Sequence, residues 1–283
     1  MKRNFLLDNS KLIMIFFVVF GHMIEPLVNH STLVDQSIIF EIIYKTIYTF
    51  HMPVFIFIAG LLTRQTSIEN NEGKLIKSIL IPFIAFTLLF ELPQIIVLGT
   101  PSNYTKTLAP YWILWFLSSL FLWKISAPFF MKLRYPILLS IAISLVSGYF
   151  ESIGSFLGLS RTLYFLPFFL IGYKLTPDYL SSSILFKIPK IIPITILLLV
   201  FIFFYFLSDI SYVWLYGSLS YSKLGISDWY APFIRLGFLT LSFISSAAIV
   251  LLIPNKSTFY TNRGSKSLYI YICGMDFLSK HLL

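Results

Sequence analysis

Residues 8–25, DNSKLIMIFFVVFGHMIE, set four ionisable groups, Asp8, Lys11, His22 and Glu25, in a run otherwise apolar enough to enter a bilayer. On a helix at about 100° per residue, Lys11 and His22 fall within roughly 20° of each other, and all four groups lie inside an arc of about 100°. An imidazole in such a stripe can act as a general base or carry an acyl group, and an ammonium can hold phosphate or carbonyl oxygens. Each ionisable group costs about 2.5 kcal/mol or more on insertion scales, so the stripe is expected to face a protein or water interior. The structural alternative is that these groups pair with neighbouring helices or snorkel to the interfaces, Asp8 and Lys11 inward and Glu25 outward. His22 is too short to snorkel and is flanked by Val18, Val19, Phe20 and Met23, so it is read as functional.

A second apolar run, EIIYKTIYTFHMPVFIFIAGLL at 41–62, carries His51 at mid-span and Pro53 two residues later. Pro53 removes a backbone hydrogen bond and is expected to kink the helix and open carbonyls to the interior. A second buried imidazole opposite the first would supply another base, acid or acyl acceptor; alternatively His51 hydrogen-bonds across helices. Glu41 and Lys45, four residues apart, can neutralise each other near the external end. Two isolated histidines without a thiolate cluster or a short His-x-x-x-His spacing do not suggest a metal. Neither a GxxxxGK[ST] loop nor a GxGxxG turn occurs, which removes nucleotide-driven transport and dinucleotide chemistry as first choices.

These residues need a scaffold. The chain is 57% hydrophobic and 12% charged, about half the charge of a soluble domain, which points to an all-α polytopic membrane bundle. Nine apolar stretches are expected to cross the bilayer, at about 8–27, 38–62, 75–98, 111–130, 135–150, 156–174, 189–208, 231–253 and 265–283. Lys and Arg gather on alternate connections: Lys2 and Arg3; Arg64, Lys74 and Lys77; Lys124, Lys132 and Arg134; Lys174, Lys187 and Lys190; Lys256, Arg263 and Lys266. That alternation predicts a cytoplasmic N-terminus and an external C-terminus. The net charge of +9 is spread over these connections rather than gathered in a soluble domain, so nucleic acid is not an expected partner. The lone Cys273 excludes an internal disulfide. The first run lacks a small-x-small cleavage site and is read as a retained span. The connection at 209–230 is rich in Trp and Tyr, which suits an interfacial belt or a carbohydrate-contacting rim.

The spacing of Lys11, ten residues, then His22, with Asp8 before them, resembles the opening signature of the membrane acyltransferase-3 superfamily. FHMPVFIFIAG at 50–60 is similar to its Phe-His-Met-Pro signature, especially in the fucose 4-O-acetylase-like branch. KSILIPF at 77–83, WILWFLSSLFLW at 112–123, RTLYFLPFFLIGY at 161–173 and SLYIY at 267–271 agree in order, so the likeness covers nearly the whole chain. Two departures stand out. Gly274 occupies the place where the family usually has a His, and the family commonly has a tenth span. Altered acceptor handling, a truncated chain or an inactive copy are the readings these departures leave open.

The resemblance implies a single integral-membrane domain over 1–283 in the cell membrane. Its expected activity is acetyl transfer from cytoplasmic acetyl-CoA to a sugar hydroxyl of a cell-surface polysaccharide or lipid-linked glycan. On this reading His22 and His51 are the catalytic candidates, His22 as base or transient acyl carrier. Lys11, about 16 Å nearer the cytoplasm, and Asp8 belong to the donor end, and Arg161 and Glu25 to the acceptor. Arg161 as an interfacial anchor, and Lys11 as a partner of Asp8, are the structural alternatives. A polar-lipid or sugar transporter, or a non-catalytic membrane subunit, is the rival class, and thioester turnover separates the enzyme from both.

Overall fold

The computed structural model describes residues 4–30, 34–65, 72–102, 104, 107–111, 114–154, 156–176, 179–180, 184–258 and 261. Among these residues, eight principal helices follow in order: α1 (Phe5–His30), α2 (Val34–Gln65), α3 (Ile81–Leu98), α4 (Trp115–Phe130), α5 (Pro136–Val146), α6 (Leu159–Lys174), α7 (Ile191–Phe206) and α8 (Ala231–Leu252). No strand occurs among the described residues. The protein is therefore an all-α helical membrane bundle, and the first eight expected spans each correspond to a helix. The ninth, with Cys273 and Gly274, lies outside the described residues.

Length separates the helices into two groups. Among the described residues, five segments are long and apolar enough to cross a bilayer: Phe5–Val28, Ile38–Arg64, Ile76–Val97, Phe156–Lys174 and Ala231–Leu252. Trp115–Phe130, Pro136–Tyr149 and Ile191–Phe206 are shorter apolar helices. The eleven residues of α5 rise only about 16 Å before the chain tightens into a 3₁₀ turn at Ser147–Tyr149. Ahead of α3, Ile76–Leu80 widens into a π-helical turn. That turn accommodates Pro82, whose ring lacks an N–H and clashes with an α-helical carbonyl four residues back. Side chains such as Leu89, Ile96, Val97, Leu138 and Phe206 are exposed, a distribution suited to lipid rather than water.

The chain divides into two compact units, residues 1–58, 175–215 and 237–283, and residues 59–174 and 216–236. In the first, α1 buries Leu6, Met14, Ile15 and Val18, while α2 buries Ile42, Tyr44, Val54 and Ile56. In the second, Trp123 of α4 is buried, donates from Nε1 to the Thr162 carbonyl at 2.9 Å and stacks on Phe169 of α6 at 5.4 Å. Ser119 and Thr162 pair at 2.6 Å beside it. Interhelical hydrogen bonds of this kind contribute about 0.6 kcal/mol on average in a membrane, so close packing must supply the rest. Gly60 shows how close it is: a Cβ there would overlap the Phe169 carbonyl oxygen and come 2.8 Å from the Tyr173 nitrogen.

Candidate active site

Helix α1 is a continuous rod from Phe5 to His30, so the stripe anticipated from the sequence exists as a single face of it. Asp8 and Lys11 form an ion pair at 3.7 Å, their side chains 14% and 22% exposed. Farther along, His22 Nδ1 lies 3.1 Å from Glu25 Oε2. A carboxylate only accepts, so Nδ1 carries a proton, which in the neutral ring leaves the lone pair on Nε2. A carboxylate that fixes the tautomer and supports the charge developing on an imidazole is the arrangement a general base needs. The i,i+3 spacing on one helix suffices to build it.

His51 of α2 is 2% exposed. Its Nδ1 lies 2.9 Å from the Ile47 carbonyl oxygen, which again makes Nδ1 the donor and turns the lone pair of the neutral ring to Nε2. The Tyr48 ring meets the imidazole edge-on at 4.4 Å. Helix α2 runs on through Pro53, which is buried. Pro53 has no N–H to offer the Thr49 carbonyl one turn back. Gly21 brings α1 against this part of α2, since a Cβ at that position would lie 3.4 Å from the Tyr48 ring and 3.8 Å from Ile47 Cγ2.

Toward the far end of α2, Lys45 is fully buried, pairs with Glu41 at 2.7 Å and donates to the Ser208 carbonyl just past α7. Tyr44 packs on Tyr48 at 4.2 Å and on Tyr212 at 5.3 Å. Burial holds the Tyr212 phenol above its ordinary value, with the Glu25 and Glu41 carboxylates adding to the effect. Tyr212, Tyr44 and Tyr48 thus form a chain of ring contacts that ends on His51. The four-residue spacing of Tyr44 and Tyr48 hinted at a shared face; nothing local tied Tyr212 to it.

Arg161 belongs to the second unit, where its guanidinium sits 5.1 Å from the Trp115 ring centroid and 5.9 Å from that of Tyr216. A second cation there escaped the sequence reading. Arg235 of α8 is 1% exposed, donates to the carbonyls of Ser144 at 3.1 Å and Leu219 at 2.8 Å, and lies 4.6 Å from the Tyr221 ring and 5.5 Å from the Tyr164 ring. Carbonyl dipoles and ring faces compensate its charge. Burial pushes the Tyr221 phenol up to about 12, against the opposing pull of Arg235.

A family model described as an acyltransferase domain matches residues 4–273. The chain is 26% identical over 125 residues to nodulation protein NolL of Mesorhizobium japonicum, covering 40% of this chain and 33% of that protein. It is 28% identical over 132 residues to nodulation protein NolL of Sinorhizobium fredii, covering 42% and 35%. The chain thus spans about a third of the length of the curated relatives it matches. No solved structure matches.

Proposed function

The chain belongs to the acyltransferase family that it matches over residues 4–273, and on that premise we propose that it moves an acetyl group from acetyl-CoA to a sugar hydroxyl of a cell-surface polysaccharide or lipid-linked glycan. The observation that carries this reading is the His22–Glu25 dyad, which presents Nε2 of an oriented imidazole in an apolar helix. His22 Nε2 removes the acceptor hydroxyl proton as that oxygen attacks the thioester carbonyl carbon. The C–S bond then breaks, the thiolate takes the proton, and an O-acetyl ester and free CoA result. In the alternative route His22 first takes the acetyl group itself and passes it to the hydroxyl. His51, beside Tyr48, supports the proton transfer from α2.

Lys11 and Asp8 mark the donor end of α1, about 16 Å from His22, and are assigned to the phosphate-bearing part of the donor. Arg161, flanked by Trp115 and Tyr216, is assigned to the acceptor because aromatic faces and a guanidinium together suit a hydroxyl-rich ring. Glu25 either orients His22 or also contacts the acceptor. The alternating basic connections support a cytoplasmic N-terminus and donor end. The test is turnover of labelled acetyl-CoA by purified protein in nanodiscs with a glycan acceptor, product ester and released thiol being measured separately. Wild-type protein is expected to produce both in equal amounts, and His22→Ala neither. Substrate flux across the bilayer without thioester turnover would replace this reading with transport.

A further inference from the structure

Asn9 stands on α1 next to Asp8 and is completely buried. Its amide is committed to a single segment some 245 residues away. Nδ2 donates to the carbonyls of Pro254 at 2.8 Å and Lys256 at 3.0 Å, while Oδ1 accepts from Thr261 Oγ1 at 2.8 Å and Thr258 Oγ1 at 3.2 Å. Chemistry sets the amide orientation, because two carbonyls can only accept and must face the NH₂. The two threonines are tied to each other as well. The Thr258 N–H donates to Thr261 Oγ1 at 2.7 Å and the Thr261 N–H to the Thr258 carbonyl at 3.1 Å. This network uses both donors and both lone pairs of the amide, so no substitution at residue 9 preserves it.

The segment held in this way follows directly from the end of α8. Its Lys256 carbonyl rests on Asn9 while the Lys256 side chain is exposed. Asp8 largely offsets the charge of Lys11, at 3.7 Å, so one turn of α1 alone is a weak attractor for anions. A second lysine fixed at the same end restores a net positive charge. We infer that Asn9 is a positioning residue: it holds residues 254–258 and Thr261 so that Lys256 joins Lys11 in seating the phosphate groups of the acyl-CoA donor. The ligand rests on the proposed function; the clamp does not.

The experiment uses the full chain in nanodiscs and reads two signals. One is the KM and kcat for acetyl-CoA. The other is the rate of tryptic cleavage after Lys256, with and without adenosine 3′,5′-bisphosphate, in zwitterionic and in anionic lipid. Asn9→Ala and Asn9→Asp are each expected to raise KM about tenfold while kcat stays within about threefold. Both should also speed cleavage at Lys256 at least about fivefold, in the regime where cleavage tracks local opening, and abolish protection by the bisphosphate. Thr258→Ser, which keeps the hydroxyl, should behave as wild type, and Thr258→Val should resemble Asn9→Ala. Lys256→Gln, which leaves the clamp intact, should raise KM in the same way and serves if the Asn9 variants do not fold. Unchanged KM and unchanged cleavage in a folded Asn9→Ala protein would overturn the inference, as would an equal loss in KM and kcat terms in every variant. Protection by anionic lipid in place of the bisphosphate would assign the cations to a headgroup and overturn it too. Clamp-dependent protection in a wild-type protein without thioester turnover would refute the proposed function and leave the phosphate seat standing.

Discussion

Replacing Glu25 by Gln tests whether the His22 dyad is a catalytic device. The substitution keeps size and leaves an amide oxygen to accept from Nδ1, but removes the negative charge 3.1 Å from the imidazole. A hydrogen bond to a charged partner contributes roughly 1.5–3 kcal/mol and a neutral one roughly 0.5–1.5 kcal/mol. Because the two side chains are 15% and 22% exposed, water screens part of that difference. About 1 kcal/mol of transition-state stabilisation remains at stake, equivalent to a five- to tenfold drop in kcat. Glu25→Ala removes the acceptor entirely and should cost about 2 kcal/mol, roughly 30-fold. His22→Ala removes the base and should cost about 10²- to 10⁴-fold. The expected order of kcat is therefore wild type, Glu25→Gln, Glu25→Ala, His22→Ala, with the KM for acetyl-CoA little changed. Ester formation from acetyl-CoA by purified protein in nanodiscs gives these numbers directly. Full ester formation by His22→Ala would refute the catalytic assignment. A Glu25→Gln protein with normal kcat and a raised acceptor KM would make Glu25 an acceptor contact rather than the partner that orients His22.

Pro53→Ala should reduce kcat several-fold without loss of insertion, because the restored N–H would bond the Thr49 carbonyl and re-aim the turn that carries His51; normal turnover in well-expressed protein would count against a positioned His51. At Gly60 the neighbouring groups are backbone, so Gly60→Leu should destabilise the protein by more than about 3 kcal/mol, with Gly60→Ala intermediate, read as a fall in the thermal midpoint in detergent. Residues 64–74 and 254–264 are predicted to be cytoplasmic, and 28–37 and 209–228 external. In a Cys273→Ser background, an impermeant thiol reagent applied from outside should label a cysteine at position 215 and spare one at position 70, and the reverse pattern would invert the topology.

What the sequence determined by itself is what depends on near neighbours. Apolar runs of helical length predicted α1 to α8, because burying a backbone in lipid leaves little choice but to close its hydrogen bonds within each helix. The same regularity placed Asp8 by Lys11 and His22 by Glu25, since three residues on a helix bring side chains together whatever the rest of the chain does. The fit of α1 to α2 was beyond that logic. Gly21 of α1 lies against Tyr48 and Ile47 of α2, and Lys45 of α2 reaches a carbonyl past α7, contacts between residues far apart in the chain. Tyr212 joined the chain of rings only because folding set it on Tyr44, although its ring had looked like one of many interfacial aromatics. Asn9 was overlooked for a related reason: an uncharged amide raises no alarm in an apolar run, whereas four ionisable groups do. Its importance arises from hydrogen bonds to Pro254, Lys256, Thr258 and Thr261, and partners so distant in sequence are chosen by the packing of the whole chain, not by any periodicity within one helix.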